Sequence, residues 1–136
     1  MATVRPPQDP EQDPRVKAVF DDIRATRGTD FINNVWRYLA FDPALLESVW
    51  ADIKAVMATP SALDPKTKEM VYVAVSIANG CDYCTHSHTA AARAKGMTEA
   101  EHADLLRVIG TASRLNALLN GLHIPVDAAF DADAAP

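Results

Sequence analysis

Three of the four Asp-Pro pairs in this chain constrain its fold more than any other feature. They stand at residues 13–14, 42–43 and 64–65. An aspartate before a proline is a typical helix start, because the carboxylate accepts free backbone N–H groups and proline has none to satisfy. Apolar residues recur with helical spacing after each pair, and no stretch alternates as a β-strand does. The sequence therefore predicts an all-α fold of about six or seven helices.

Glycines and capping residues predict where these helices begin and end. Gly28 closes the first helix, and a short second helix is expected over residues 31–40. Thr98 begins a capping box that starts the last helix. Gly121 is expected to end that helix, and Gly110 is a candidate bend within it. These boundaries predict one helical domain over residues 13–124, with a mobile arm at 1–12 and a peripheral tail at 125–136.

Composition narrows the classes of function. The chain has 136 residues and a net charge of −5, and its 13 basic residues are scattered. This argues against a nucleic-acid surface. No segment approaches the roughly 20 apolar residues that cross a membrane, and the N-terminus lacks the apolar core of a signal peptide. We therefore expect a cytoplasmic protein with no membrane or nucleic-acid partner. Its many apolar helix faces favour a homo-oligomer.

The two tryptophans have two interpretations. Trp36 and Trp50 lie on apolar helix faces. Large aromatic side chains at such positions usually pack in a core or an interface. That interpretation is preferred here, and lining a substrate pocket is the alternative.

The stretch from Glu69 to His88, EMVYVAVSIANGCDYCTHSH, carries both cysteines of the chain. Asn79-Gly80 is a strong helix stop, and a new helical pattern begins at about Cys81. At about 100° per residue, Cys81, Cys84 and His88 share a sector of roughly 60°. His86 points roughly 140° away from Cys81. The spacing therefore aims one histidine at the two thiols.

This arrangement is that of an activated cysteine with a second thiol beside it. Thiols in the first turn of a helix lie near free N–H groups and the positive end of the helix dipole, which favour the thiolate. The imidazole of His88 can accept a proton from Cys84. If the chain reverses at Asn79-Gly80, Glu69 on the preceding helix can reach His88 and orient it. The residues thus suggest a relay of Glu69, His88, Cys84 and Cys81.

These residues resemble a known family. Glu69, eleven residues, Cys81-Asp82-Tyr83-Cys84, three residues and His88 reproduce the E-x11-C-x-x-C-x3-H signature of the alkyl hydroperoxidase D-like proteins of the carboxymuconolactone decarboxylase superfamily. The resemblance covers roughly residues 31–122. Two differences accompany it. The chain holds one helical core unit where full-length alkyl hydroperoxidase D has an additional related unit, and Tyr83 stands where that enzyme carries a histidine.

The resemblance implies an all-α fold built on a helix pair, assembly into trimers or hexamers, and thiol-dependent reduction of peroxides. It implies Cys84 as the thiolate that attacks the peroxide and Cys81 as the resolving, more exposed thiol. His88 and Glu69 would form the proton relay. The implied partners are a hydroperoxide substrate and an external dithiol reductant, such as a lipoyl-type adaptor. No cofactor or metal is implied.

Other interpretations of the cysteine stretch stay open. Cys81, Cys84, His88 and Glu69 could supply four zinc ligands, although structural zinc sites seldom use a carboxylate. The thiols could instead be small buried hydrophobic residues. A thioredoxin-like role needs a βαβ context that this chain lacks. A decarboxylase-like enzyme acting on another substrate and a dithiol redox sensor without turnover are the remaining alternatives. His86, His102 and His123 are expected at the surface or in packing, and Ser76 and Tyr83 are candidates for pocket residues.

Overall fold

The structure, a computed structural model, describes residues 1–131 and residue 133. Within these residues the regular elements are helical, which confirms the all-α class. Six α-helices follow in chain order: α1 (Pro14–Arg27), α2 (Asn34–Leu39), α3 (Pro43–Ile53), α4 (Pro65–Ala78), α5 (Asp82–Ala94) and α6 (Glu99–Leu122). A π-helical segment, Lys54–Ala58, extends α3, and short 3₁₀ turns lie at Pro10–Gln12 and Ala128–Phe130. The rest of the predicted tail, residues 132 and 134–136, lies outside the described residues.

The Asp-Pro pairs at 13–14, 42–43 and 64–65 start helices as predicted. The carboxylates of Asp13, Asp42 and Asp64 cap α1, α3 and α4 by accepting backbone N–H groups, and a proline follows each of them in the first turn. Gly28 ends α1 in the left-handed conformation, with φ of 65°. Thr98 and Glu101 form the predicted capping box of α6. Local capping chemistry therefore sets most of the helix boundaries.

Two predicted boundaries were wrong. The second helix begins at Asn34, because Asn33 adopts an extended conformation and its side chain accepts a hydrogen bond from Arg27. The last helix runs through both Gly110 and Gly121 and ends at Leu122, where His123 takes the left-handed conformation with φ of 50°. A glycine inside a helix costs only about 1 kcal/mol relative to alanine, so neighbouring residues can carry the helix past it.

The chain divides by its internal contacts into two units, Met1–Leu63 and Asp64–Pro136. The prediction of one domain over residues 13–124 stays a prediction. In the described part of the chain, no helix combines the length and the apolar character needed to cross a membrane.

The first unit has a core built from α1, α2 and α3. Trp36 and Trp50 meet edge to face within it, with ring centroids 5.3 Å apart. The indole N–H of Trp50 donates a 2.7 Å hydrogen bond to Asp22, which also pairs with Lys54. Glu11, in the N-terminal segment, pairs with Arg24 of α1. The interpretation of both tryptophans as core residues is confirmed. The buried set is Val16, Val19, Phe20, Ile23, Trp36, Ala40, Leu46 and Trp50.

The second unit is organised around α4 and α5, which pack along each other in opposite directions. The turn between them consists of Asn79 and Gly80, and Gly80 has a φ of 67°, which favours glycine. The backbone N–H of Cys81 donates to the carbonyl of Ser76 across this turn, at 2.9 Å. The reversal places the first half of α4 beside the second half of α5. This is the geometry that the Glu69–His88 contact requires.

Candidate active site

The two cysteines meet at the start of α5. Cys81 is the N-cap residue of this helix, and its sulfur accepts the backbone N–H of Cys84 at 3.4 Å. Both cysteines are free thiols and are partly buried. The C-x-x-C spacing thus puts one sulfur in the capping position and the other one turn later.

The two thiols ionise differently. Hydrogen bonds from the Cys84 thiol and from the Cys84 backbone N–H lower the pKa of Cys81. Burial raises the pKa of Cys84 to about 11, with a further contribution from Cys81 beside it. A single negative charge on the pair therefore lies mainly on Cys81, and the Cys84 thiol donates to it. Since the resemblance implies Cys84 as the attacking thiolate, a proton must leave Cys84 before it reacts.

Glu69 and His88 form a buried hydrogen-bonded pair. Glu69 is only 5% exposed, and its Oε2 lies 2.6 Å from Nδ1 of His88. Burial would raise the pKa of Glu69, but hydrogen bonds from His88 and Lys95 outweigh it, and the pKa is lowered. An ionised carboxylate can only accept, so Nδ1 carries the hydrogen and Nε2 of His88 is left for chemistry.

Lys95 is a site residue that the sequence analysis missed. Its Nζ lies 2.6 Å from Oε1 of Glu69, so the two carboxylate oxygens have different partners. A signal for it exists in the sequence. Lys95 follows His88 by seven residues, which places the two within roughly 20° on the same face of a helix.

Tyr72 completes the surroundings of the imidazole. Its ring stacks on the ring of His88, with centroids 3.6 Å apart and planes inclined by 19°. Burial raises the pKa of Tyr72, and the charges of Cys84, Cys81 and Glu69 add to this effect. The phenol therefore stays neutral and presents an aromatic face to His88. Tyr72 follows Glu69 by three residues on α4, a spacing that places both on one helix face.

The remaining sequence candidates lie elsewhere or have other partners. Ser76 is buried, and its hydroxyl donates to the backbone carbonyl of Tyr72 at 2.8 Å. Tyr83 is exposed. The other three histidines are placed as expected: His86 and His123 are exposed, and His102 lies 3.4 Å from Arg93.

The structure brings together the predicted site residues as two pairs. Cys81 contacts Cys84, and Glu69 contacts His88. Over residues 1–131 and 133, no hydrogen bond joins His88 to either thiol, and no three His, Cys, Asp or Glu side chains are grouped to hold a metal ion. Both oxygens of Glu69 are engaged by nitrogen donors, which does not suit the zinc alternative.

Comparisons with known proteins agree with this geometry. The chain is similar to a crystal structure at 1.95 Å resolution described as an alkylhydroperoxidase AhpD core from Rhodospirillum rubrum ATCC 11170. The two chains are 63% identical, with a TM-score of 0.91 over 96% of this chain and 97% of the other. A search of curated proteins found no match. The model of the carboxymuconolactone decarboxylase family matches residues 43–127. With that match and this structural likeness, the chain belongs to the carboxymuconolactone decarboxylase family and is an AhpD-like member of it.

Proposed function

We propose that the protein is a thiol-dependent peroxidase that reduces hydroperoxides at the expense of an external dithiol. The observation that carries this proposal is the pair of free thiols at the start of α5, one helical turn before an imidazole that a buried carboxylate holds. The similarity to a protein described as an alkylhydroperoxidase supports the same chemistry. Family membership alone leaves decarboxylation open, but that reaction gives the two cysteines no role.

The reaction begins with removal of one proton from the two thiols. His88, oriented by Glu69, accepts this proton, and the remaining one is shared between the two sulfurs. When it lies on Cys81, the Cys84 thiolate attacks the terminal oxygen of the hydroperoxide. The O–O bond breaks, Cys84 becomes a sulfenic acid, and the leaving alkoxide takes a proton from His88 to give an alcohol. The thiol is oxidised by two electrons and the peroxide is reduced by two.

A second step closes the disulfide. The sulfur of Cys81 attacks the sulfenic sulfur of Cys84, an S–S bond forms, and water leaves. An external dithiol then attacks Cys81, passes through a mixed disulfide, and restores both thiols while it is itself oxidised. Cys81 is the favourable point of attack because it lies at the N-cap of α5, while Cys84 is the more buried sulfur. Such a reductant is a small molecule or an adaptor of the lipoyl type.

We also propose that the protein acts as a homo-oligomer. The second half of α6 is exposed along its length in the single chain, and it carries Leu115, Leu118, Leu119 and Leu122. An apolar surface of this kind is typical of an interface between subunits. Analytical ultracentrifugation measures the number of subunits, and a monomer at micromolar concentration would refute this part of the proposal.

The test of the function is peroxide consumption by metal-free protein supplied with dihydrolipoamide, with thiols counted before and after. We expect multiple turnovers in the wild type and none in Cys84→Ser. Cys81→Ser should oxidise once and then stop at the sulfenic acid, which dimedone traps. Each serine variant is the control for the other, since both remove one sulfur of the same pair.

Three other outcomes contradict the proposal. Full turnover in Cys84→Ser refutes the assignment of the attacking thiol. Loss of two thiols in a single round, with no turnover by any of several dithiols, indicates a redox sensor. No thiol oxidation by any peroxide indicates thiol-independent chemistry.

A further inference from the structure

Glu69 is a buried carboxylate that accepts hydrogen bonds from two donors at once. Nδ1 of His88 and Nζ of Lys95 each lie 2.6 Å from a different oxygen of it. Its side chain is only 6% exposed, whereas that of Lys95 is 37% exposed. A charge at such depth must be compensated nearby, because the protein interior solvates it poorly. The question is which of the two donors supplies the compensating positive charge.

His88 cannot supply that charge and also act as a base. If the imidazole alone compensated Glu69, it would have to be protonated, and a protonated imidazole accepts no further proton. With the ammonium group of Lys95 on the other oxygen, the carboxylate stays ionised beside a neutral imidazole. The Glu69, Lys95 and neutral His88 group then has no net charge. This removes the conflict between burial and basicity.

We infer that Lys95 is a positioning residue of this site, whose ammonium group keeps Glu69 ionised so that a neutral His88 stays oriented and free to accept a proton. The inference rests on the proposed function for its role in turnover. Among the described residues, no hydrogen bond or ion pair joins Lys95 to a thiol, and Lys95 acts through Glu69.

The other titratable groups near Glu69 do not compensate its negative charge. On α4, Tyr72 stacks on His88 and is neutral at physiological pH, and a thiolate at the start of α5 is negative and cannot compensate a carboxylate. From α6, Glu101 pairs with Lys66, one turn before Glu69. Both groups of that second pair are thereby engaged with each other.

The position of Lys95 suits this role. It is the C-cap residue of α5, so its charge also lies at the negative end of the helix dipole. Gly96 follows it with φ of 93° and ends the helix there. The sequence ARAKG therefore sets both where α5 stops and which side chain reaches back along the face that carries His88.

The test compares Lys95→Met with the wild type in two measurements. The first is the titration of the Glu69 carboxyl carbon by ¹³C NMR, assigned by its loss in Glu69→Gln. Because the ammonium group 2.6 Å from its carboxylate is removed, we expect the pKa of Glu69 to rise. The second is the pH profile of peroxide turnover, whose acidic limb should move upward, because without Lys95 the positive charge that compensates Glu69 falls to His88, and a protonated imidazole accepts no further proton.

Three variants serve as controls. Lys95→Arg keeps the charge and should restore the wild-type titration. Lys95→Gln also removes the charge but keeps a polar side chain at this half-exposed position. It should raise the pKa of Glu69 as Lys95→Met does, and it replaces Lys95→Met if that variant folds poorly. Lys66→Met removes a matched lysine–glutamate pair of the same unit, at 2.7 Å, and should move neither measurement.

An unchanged Glu69 titration in both Lys95→Met and Lys95→Gln would overturn the inference. A shifted titration with an unmoved acidic limb would also overturn it, because Lys95 would then support the fold and not the reaction. The NMR measurement needs no turnover. A wild type that consumes no peroxide therefore refutes the proposed function, while the titration still decides whether Lys95 keeps Glu69 ionised.

Discussion

Glu69→Gln is the substitution whose effect on stability follows most directly from the structure. It keeps the shape of the side chain and removes its charge. Glutamine keeps one acceptor oxygen and has an N–H₂ donor in place of the other. Charge-assisted hydrogen bonds are roughly twice as strong as neutral ones, so the bond to His88 weakens by about 1 kcal/mol when the amide oxygen faces it, and Lys95 loses its acceptor. The bond to Lys95 counts for less, because water screens that half-exposed side chain. We expect a loss of about 1.5 kcal/mol in the free energy of unfolding at pH 7.

The pH dependence of this loss identifies its cause. The pKa of Glu69 in the folded chain lies below the ordinary value of 4.5. Its ionised form therefore stabilises the fold above the unfolded pKa, and this stabilisation disappears as pH falls through the folded pKa. The difference between the wild type and Glu69→Gln should be full above the unfolded pKa and should shrink as pH falls through the folded pKa, because protonated glutamic acid resembles glutamine.

Urea denaturation followed by circular dichroism measures this difference at fixed protein concentration and at a series of pH values. The matched control is Glu101→Gln, which also removes the charge of a carboxylate paired with a lysine, but at a half-exposed position. Its effect should be much smaller, because water solvates both partners. Equal losses in the two variants, or a Glu69→Gln loss that does not change with pH, would refute the account of Glu69 as a buried ion.

Three further predictions concern the thiols, the aromatic ring and the core. Iodoacetamide at mildly alkaline pH should label Cys81 before Cys84, because the thiolate of Cys81 forms first, and peptide mass spectrometry measures the order. Preferential labelling of Cys84 would contradict the hydrogen-bond arrangement of the two thiols. Tyr72→Leu should slow peroxide turnover while Tyr72→Phe retains it, since the ring face and not the hydroxyl contacts His88; equal turnover in both variants would exclude the ring. Leu46→Ala, at a fully buried position, should lower the free energy of unfolding in urea by about 2–5 kcal/mol. A loss below about 1 kcal/mol would mean that neighbouring side chains move in to fill the cavity.

The helices of this chain were predictable because local chemistry determines their ends. Asp13, Asp42 and Asp64 each accept backbone N–H groups within three residues of themselves, so a short window of sequence contains the whole interaction. The predictions failed where the outcome depends on more distant groups. The start of α2 depends on an Arg27 side chain six residues away, and the length of α6 depends on residues that carry the helix past Gly121.

The sequence by itself determined the all-α class and the placing of two thiols and one imidazole on a single face of one helix, because helical spacing alone fixes that face. Only the tertiary structure decided the electrostatics. It brought Glu69 out of water against His88, added Lys95 on the other oxygen, and made Cys81 the preferred thiolate over Cys84. The contacts of Glu69 depend on distances of 2.6 Å between α4 and α5, and the difference between the thiols depends on the burial of Cys84; spacing along the chain specifies neither.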